Sequence, residues 1–188
     1  KWDFGDGTGI DSVANPIYQY KQTGPFTIRL QVRTPYGCID SAQKIISSIY
    51  PQAKAAFSFS AENCLRDSSY FTDKSDGKGS SIQKWNWSWG DGGLDTIPNP
   101  VHLYASAGTY PVKLFIITDK GCNSDTISAP IVINPLPTPN YSIVSTSCEL
   151  RAVVFSNTSI ANAGTISNWW WDFGDGVTEN KSTPDTFN

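Results

Sequence analysis

Three Gly-Asp-Gly triplets offer the first candidate chemistry: Gly5-Asp6-Gly7, Gly90-Asp91-Gly92 and Gly174-Asp175-Gly176. A carboxylate held in a glycine turn can ligate a hard cation, but a calcium site gathers about 6–8 oxygens. Each Asp here stands alone, without an Asp-x-Asp-x-Asp pattern. The reading that fits is a tight turn, in which the glycines take positive φ and the Asp accepts from a neighbouring amide. His102, the chain's one histidine, could act as a base or a ligand. Its repeat positions hold Tyr18 and Thr186, so a Ser/His/Asp arrangement would exist in one copy only. No catalytic residue, metal or cofactor is therefore assigned. His102 reads as a half-buried ring hydrogen-bonded at a corner of the fold.

Cys38, Cys64, Cys122 and Cys148 are candidates for disulfides, since four cysteines at repeat spacing in an exported β protein suggest them. The tryptophans could stack on sugars. Trp2, Trp87 and Trp171 precede the Gly-Asp-Gly triplets and read as core. Trp170 falls on the opposite face of its strand, where Asn86 stands in the middle copy, and is the best candidate for an exposed aromatic.

All of these features recur in one register. Gly5 to Gly90 is 85 residues and Gly90 to Gly174 is 84; Cys38 to Cys122 and Cys64 to Cys148 are both 84. Asn15-Pro16-Ile17-Tyr18-Gln19-Tyr20 returns as Asn99-Pro100-Val101-His102-Leu103-Tyr104, and the stretch from Gly24 to Leu30 returns from Gly108 to Leu114. A period this long exceeds a solenoid repeat, so each copy should be a domain of its own. The expected division is 1–51, 52–135 and 136–188: a complete middle repeat between two partial ones. The boundaries fall at Tyr50-Pro51 and at Asn134-Pro135-Leu136-Pro137-Thr138-Pro139, where proline stiffens the joint and cannot extend a sheet.

Composition agrees with an exported β protein. Charged residues are 16%, against about 25% in typical soluble domains. A net charge of −3 with no basic cluster argues against nucleic acid, and no apolar run of 18 residues is present to span a membrane. Methionine is absent and the chain opens in mid-strand, so a signal segment is expected upstream.

Strands are expected over 55–60, 69–72, 82–90, 109–118 and 126–133. Trp85, Trp87 and Trp89 share one face, and a turn at Asp119-Lys120-Gly121 joins the last two strands. No helix is indicated. Trp-Asp-Phe-Gly-Asp-Gly, then Asn-Pro-x-His-x-Tyr, then Gly-x-Tyr-x-Val-x-Leu resembles the signature of PKD (polycystic kidney disease) domains. The resemblance implies tandem immunoglobulin-like β-sandwich domains, all-β. Tyr18, Pro25-Phe26 and the segment from Thr183 to Phe187 depart from the pattern.

On an immunoglobulin-like topology, Cys64 lies before the second strand and Cys122 after the sixth, at ends about 30 Å apart, too far for one disulfide. Bonds across consecutive domains fit better, with Cys64 pairing beyond residue 188 and Cys122 before residue 1. Ser12, Ser41, Thr96 and Thr126 each follow Asp and precede an aliphatic or Ala residue. This looks like the O-glycosylation sequon of exported Bacteroidetes proteins, although Asp-Ser/Thr is also ordinary turn chemistry. The whole resembles the repeat region of a Bacteroidetes surface protein of the gliding-motility or type IX-secreted kind. That resemblance implies an extracellular, non-enzymatic stalk, filament or adhesive segment, partnered by neighbouring repeats and by glycans or surface proteins. The alternative is a spacer or glycan-binding module of a secreted hydrolase.

Overall fold

The computed structural model describes residues 1–60, 63–144 and 152–182. Cys148 and the segment from Thr183 to Phe187, with Thr186, lie outside them. The described residues form only strands, in chain order β1 (Trp2–Asp3), β2 (Ile10–Asp11), β3 (Phe26–Arg33), β4 (Ile39–Ile46), β5 (Phe57–Phe59), β6 (Ser69–Asp73), β7 (Ile82–Ser88), β8 (Leu94–Asp95), β9 (Val101–His102), β10 (Gly108–Thr118), β11 (Ile127–Ile133), β12 (Tyr141–Ile143), β13 (Phe155–Asn157), β14 (Trp169–Asp172) and β15 (Thr178–Lys181).

The middle repeat is a two-sheet sandwich. One sheet runs β11-β10-β7-β8 and the other β5-β6-β9. Strand alternation selects the inner faces. On β10, Val112, Leu114 and Ile116 are fully buried, while Lys113 between them faces water. Phe57 and Phe71 from the other sheet meet the Trp87 and Trp89 rings, with Phe57–Trp87 centroids at 5.2 Å and Phe71–Trp89 at 4.7 Å, and Phe59 packs on Phe71 at 5.9 Å. Trp85 is half-buried at the margin of this core. The five expected strands are all present: those expected over 55–60, 82–90 and 126–133 are shorter by one to three residues, and those over 69–72 and 109–118 are each longer by one. The two-residue strands β2, β8 and β9 carry no alternation long enough to read from sequence.

The first repeat forms the sheet β2-β1-β3-β4, which matches β8-β7-β10-β11 strand for strand. In the third repeat β12 pairs with β13 and β14 with β15.

The structure explains why the period wavers between 84 and 85. Phe4 N–H donates to Gly9 O in the first turn, whereas Trp89 N–H donates to Gly93 O in the second, so the first copy carries one extra residue there. The second offset is a bulge. The β3–β4 register is unbroken from Arg33↔Ile39 to Phe26↔Ile46. On β10–β11 it shifts by one residue between the Ile117↔Asn123 bridge and Leu114↔Ile127. Ser124 covers the shift: its Oγ accepts from Ile116 N–H (3.0 Å), and its own N–H donates to Ile116 O (3.0 Å).

Candidate functional site

The Gly-Asp-Gly turn and the Asn-Pro-x-[His/Tyr]-x-Tyr motif, separate in the sequence, form one structure. Asp91 Oδ1 accepts from Gly93 N–H (2.9 Å), which closes the turn. Its other oxygen, Oδ2, accepts from His102 Nε2 at 2.7 Å. The His102 ring lies on the Trp89 indole (centroids 4.9 Å, 15° between planes) and edge-on to Tyr104. Tyr104 OH then donates to Trp89 O (3.2 Å). The strand β9, paired to β6 through Ser69↔His102, holds the ring in place.

The first repeat builds the same clasp from different side chains. Asp6 Oδ1 accepts from Thr8 and Gly9 N–H, and Asp6 Oδ2 accepts a short hydrogen bond from Tyr18 OH. Tyr18 stacks on Phe4 (3.9 Å, 4°), and Tyr20 OH donates to Phe4 O (3.0 Å). Tyr18 and His102 are therefore interchangeable donors to one carboxylate. In the third copy Asp175 Oδ1 accepts from Val177 N–H (2.9 Å), again closing the turn.

The clasp consumes the chemistry that its residues could offer. Each Asp6 and Asp91 carboxylate already accepts from both a backbone amide and a side chain. Ser69 is opposite His102 in register, yet its buried Oγ makes no hydrogen bond, to the ring or to any other described group. Among the described residues no three or more His, Cys, Asp or Glu side chains converge as a metal cage.

The same register runs through the other candidate residues. Trp87 Nε1 donates to Ile97 O (3.0 Å) and Trp2 Nε1 to Val13 O (3.1 Å), tying the core strand to the segment after the short edge strand. Asp95 and Asp11 cap Ile97 and Val13 N–H two residues on, so Thr96 and Ser12 are exposed tips of matching turns. Ser41, paired with Gln31 inside β4, and Thr126, just before β11, are exposed as well.

This recurring assembly is what a family signature records, and the model of the PKD domain matches residues 1–48 and 51–133. The chain belongs to the PKD domain family. Solved structures similar to it include the PKD1 domain of the Vibrio cholerae metalloprotease PrtV, at 28% identity over 44% of this chain and 98% of that one, TM-score 0.40. The PKD1 domain of Vibrio anguillarum Epp is 21% identical over 45% of this chain and 96% of that one, TM-score 0.41. A carbohydrate-binding module of the β-sandwich superfamily is 20% identical over 57% of this chain and 54% of its own, TM-score 0.44.

Within the PKD fold Cys64 and Cys122 sit at opposite ends of the middle repeat. Cys64 forms a parallel bridge with Asn134, the residue before Pro135. Cys122 lies beyond the far end of β10, in the hairpin whose Lys120 Nζ stands 5.8 Å over the Tyr50 ring. Strand β10 spans roughly 33 Å between those ends, and Cys38, Cys64 and Cys122 are free thiols. Trp170 is 68% exposed, with Trp169 and Trp171 on the inner side of β14. What sequence reading missed is the link between the two motifs. The available signal was the repeated pairing of an Asp with an aromatic donor 11 or 12 residues later, Asp91 with His102 and Asp6 with Tyr18.

Two predictions follow from the PKD clasp. His102→Ala removes a charge-assisted hydrogen bond and a ring stack and should destabilise the middle repeat by about 1–2 kcal/mol. His102→Tyr, which copies the first repeat, should recover most of that loss in urea unfolding; no recovery would show that the two clasps are not equivalent.

The second prediction concerns acid. The Tyr18 hydrogen bond, helped by the Thr8 and Gly9 amides, pulls the Asp6 carboxyl down to about 2. At Asp91 burial opposes ionisation, but the hydrogen bonds from His102 and Gly93 outweigh it and the carboxyl stays below its ordinary value. A depressed carboxyl binds fewer protons folded than unfolded, so its contribution is present above an unfolded pKa of about 4 and is lost as pH falls toward the folded value. Melting temperature should therefore fall as pH is lowered from about 4 to about 2. Tyr18→Phe, which removes the largest cause at Asp6, should make that fall shallower.

Proposed function

We propose that this chain is a non-enzymatic structural or adhesive repeat region of a large secreted or cell-surface protein, divided at 1–51, 52–135 and 136–188. The observation that carries this reading is the clasp. The residues that recur are spent on holding turn to core, in successive copies, with different donors doing the same structural work. PKD domains are generally non-catalytic modules. Stiff prolyl joints between such units favour an extended stalk or filament. No helix of the described residues is long and apolar enough to cross a membrane.

The setting we infer is the extracellular face of a Bacteroidetes cell, in a protein of the gliding-motility or type IX-secreted kind. The joints favour disulfides between consecutive domains, because Cys64 and Cys122 face opposite joints. Non-reducing peptide mapping of the native protein should find Cys64 and Cys122 joined to cysteines of neighbouring repeats; a Cys64–Cys122 bond would overturn this. The exposure of Ser12, Ser41, Thr96 and Thr126 supports O-glycosylation, and intact mass at the bare polypeptide value would exclude it. Imaging of the native protein tests the main reading. A thread of beads or a filament is expected, and a compact single particle would contradict it.

The exposure of Trp170 favours a second reading, direct glycan binding or a spacer role beside a hydrolase. On a glycan array Trp170→Ala should then abolish any signal that the parent chain gives, and an unchanged signal would rule that surface out.

A further inference from the structure

The outer face of the β11-β10-β7-β8 sheet carries chemistry that the clasp does not use. It belongs to the middle repeat, whose two sheets are both present. Trp85 and Trp87 turn toward the core, so Asn86 and Ser88 face out. On β10 the buried Leu114 and Ile116 leave Phe115 outward and half-buried. With Thr96, Lys113 and Thr126 these residues line an open groove of about 370 Å³. Clefts for small ligands begin at about 300 Å³. Register sets Thr96, Asn86, Phe115 and Thr126 in one row across the sheet: Asp95 pairs with Trp87, Asn86 with Phe115, and Leu114 with Ile127. Two hydroxyls thus stand at the edges of the row, with an amide and a ring between them. The first repeat sets Ser41 against Gln31 in the equivalent place, so the hydroxyl recurs where the ring does not. Asn86 Nδ2 is buried and has no hydrogen-bond partner among the described groups. A buried amide donor is nearly always satisfied, so the groove lacks an acceptor.

We propose that this groove seats the chain's own O-linked saccharide, attached at Thr126 and folded back over Phe115 to Asn86; the inference rests on the O-glycosylation reading above. A transferase outside this chain makes the bond. Thr126 Oγ1 attacks the anomeric carbon of a phosphate-activated sugar, the phosphate leaves with the bonding electron pair, and the hydroxyl proton passes to the transferase's base. Thr126 is the anchor because it is next to Phe115 in the row, whereas a sugar on Thr96 would first have to cross Asn86. Neighbouring strands lie about 5 Å apart, so Asn86 is about 10 Å from the anchor, within reach of a short saccharide. A pyranose has a face of C–H bonds and a rim of hydroxyls. The C–H face covers the Phe115 ring and removes apolar surface from water. A rim hydroxyl accepts from Asn86 Nδ2, and Lys113 and Ser88 border the same groove. Because the sugar is tethered, contacts too weak to capture a free saccharide suffice to hold it.

The test uses the full chain made in its native host, as parent and as Phe115→Gln, which installs the residue of the first repeat. Each is compared before and after removal of its O-linked sugar. Glycopeptide mapping should place a saccharide on Thr126. In the parent, nuclear Overhauser contacts should join sugar-ring protons to the Phe115 ring, and removing the sugar should lower the melting temperature of the middle repeat by about 4–8 °C. In Phe115→Gln the sugar should still be attached, and its removal should cost less than half of that shift. A bare Thr126 would overturn both this inference and O-glycosylation at that residue. A saccharide on Thr126 that makes no contact with Phe115 in the parent, or whose removal shifts parent and variant equally, would overturn the packing alone and leave the O-glycosylation reading standing.

Discussion

Trp87→Ala is expected to lower the stability of the middle repeat by about 3–5 kcal/mol, the usual cost of emptying a large aromatic site in a core. Trp87 is 1% exposed and stacks on Trp89 at 5.4 Å, with Phe57 and Phe71 on its other sides. The change also strands Ile97 O, which loses the indole N–H that ties the edge to the core. A domain of this size has roughly 4–12 kcal/mol in total, so the loss takes a large share of it. The melting temperature of the repeat should fall by about 15–30 °C, read by calorimetry. Trp170→Ala, on the outer face, should change stability by no more than about 0.5 kcal/mol. A fall of less than about 5 °C for Trp87→Ala would mean that the sandwich is not built around this ring.

The second large effect is expected at Gly90. Its φ is +86°, and a Cβ there would lie 2.7 Å from Pro111 Cδ and 2.9 Å from Pro111 N. Gly92 has a similar φ of +99° but open space on its Cβ side. Both Ala substitutions incur left-handed strain of about 1–2 kcal/mol. Gly90→Ala must in addition push the turn away from β10, because the obstructing atoms belong to a proline ring and backbone rather than to a flexible tip. It should cost at least about 3 kcal/mol, with overpacking adding its own 1–3. Urea unfolding of the two variants measures the difference directly, and equal losses would refute the close approach. Gly5 makes the same approach in the first repeat, 2.3 Å from Thr27 O, whereas Gly174 meets nothing within 4 Å. Among the described residues no strand lies against the turn of the third repeat.

Much of this was legible in the chain itself. The spacing of Trp85, Trp87 and Trp89, and of Val112, Leu114 and Ile116, is a period-two pattern, and period two specifies which face of a strand is buried whatever lies opposite. Repetition specified the PKD fold more strongly than any single segment could, because independent landmarks in one register leave little freedom. The glycines of the triplets announced positive φ by their type alone.

Tertiary structure decided what the triplets are for. Asp91 and His102 are 11 residues apart, and nothing local brings them together; the β6–β9 pairing does, through Ser69↔His102. It also decided that Gly90 and Gly92, alike in sequence, differ in what they can become, since only the hairpin at Pro111 distinguishes them. The extra residue in the first turn and the bulge at Ser124 show in sequence only as an uncertain period. Backbone hydrogen bonds to Gly9, Gly93 and Ile116 decide where each extra residue is absorbed. Sequence pattern thus determined faces and register within each strand, because those follow from backbone geometry. Contacts between strands determined the clasp, because they depend on which segments the fold sets side by side.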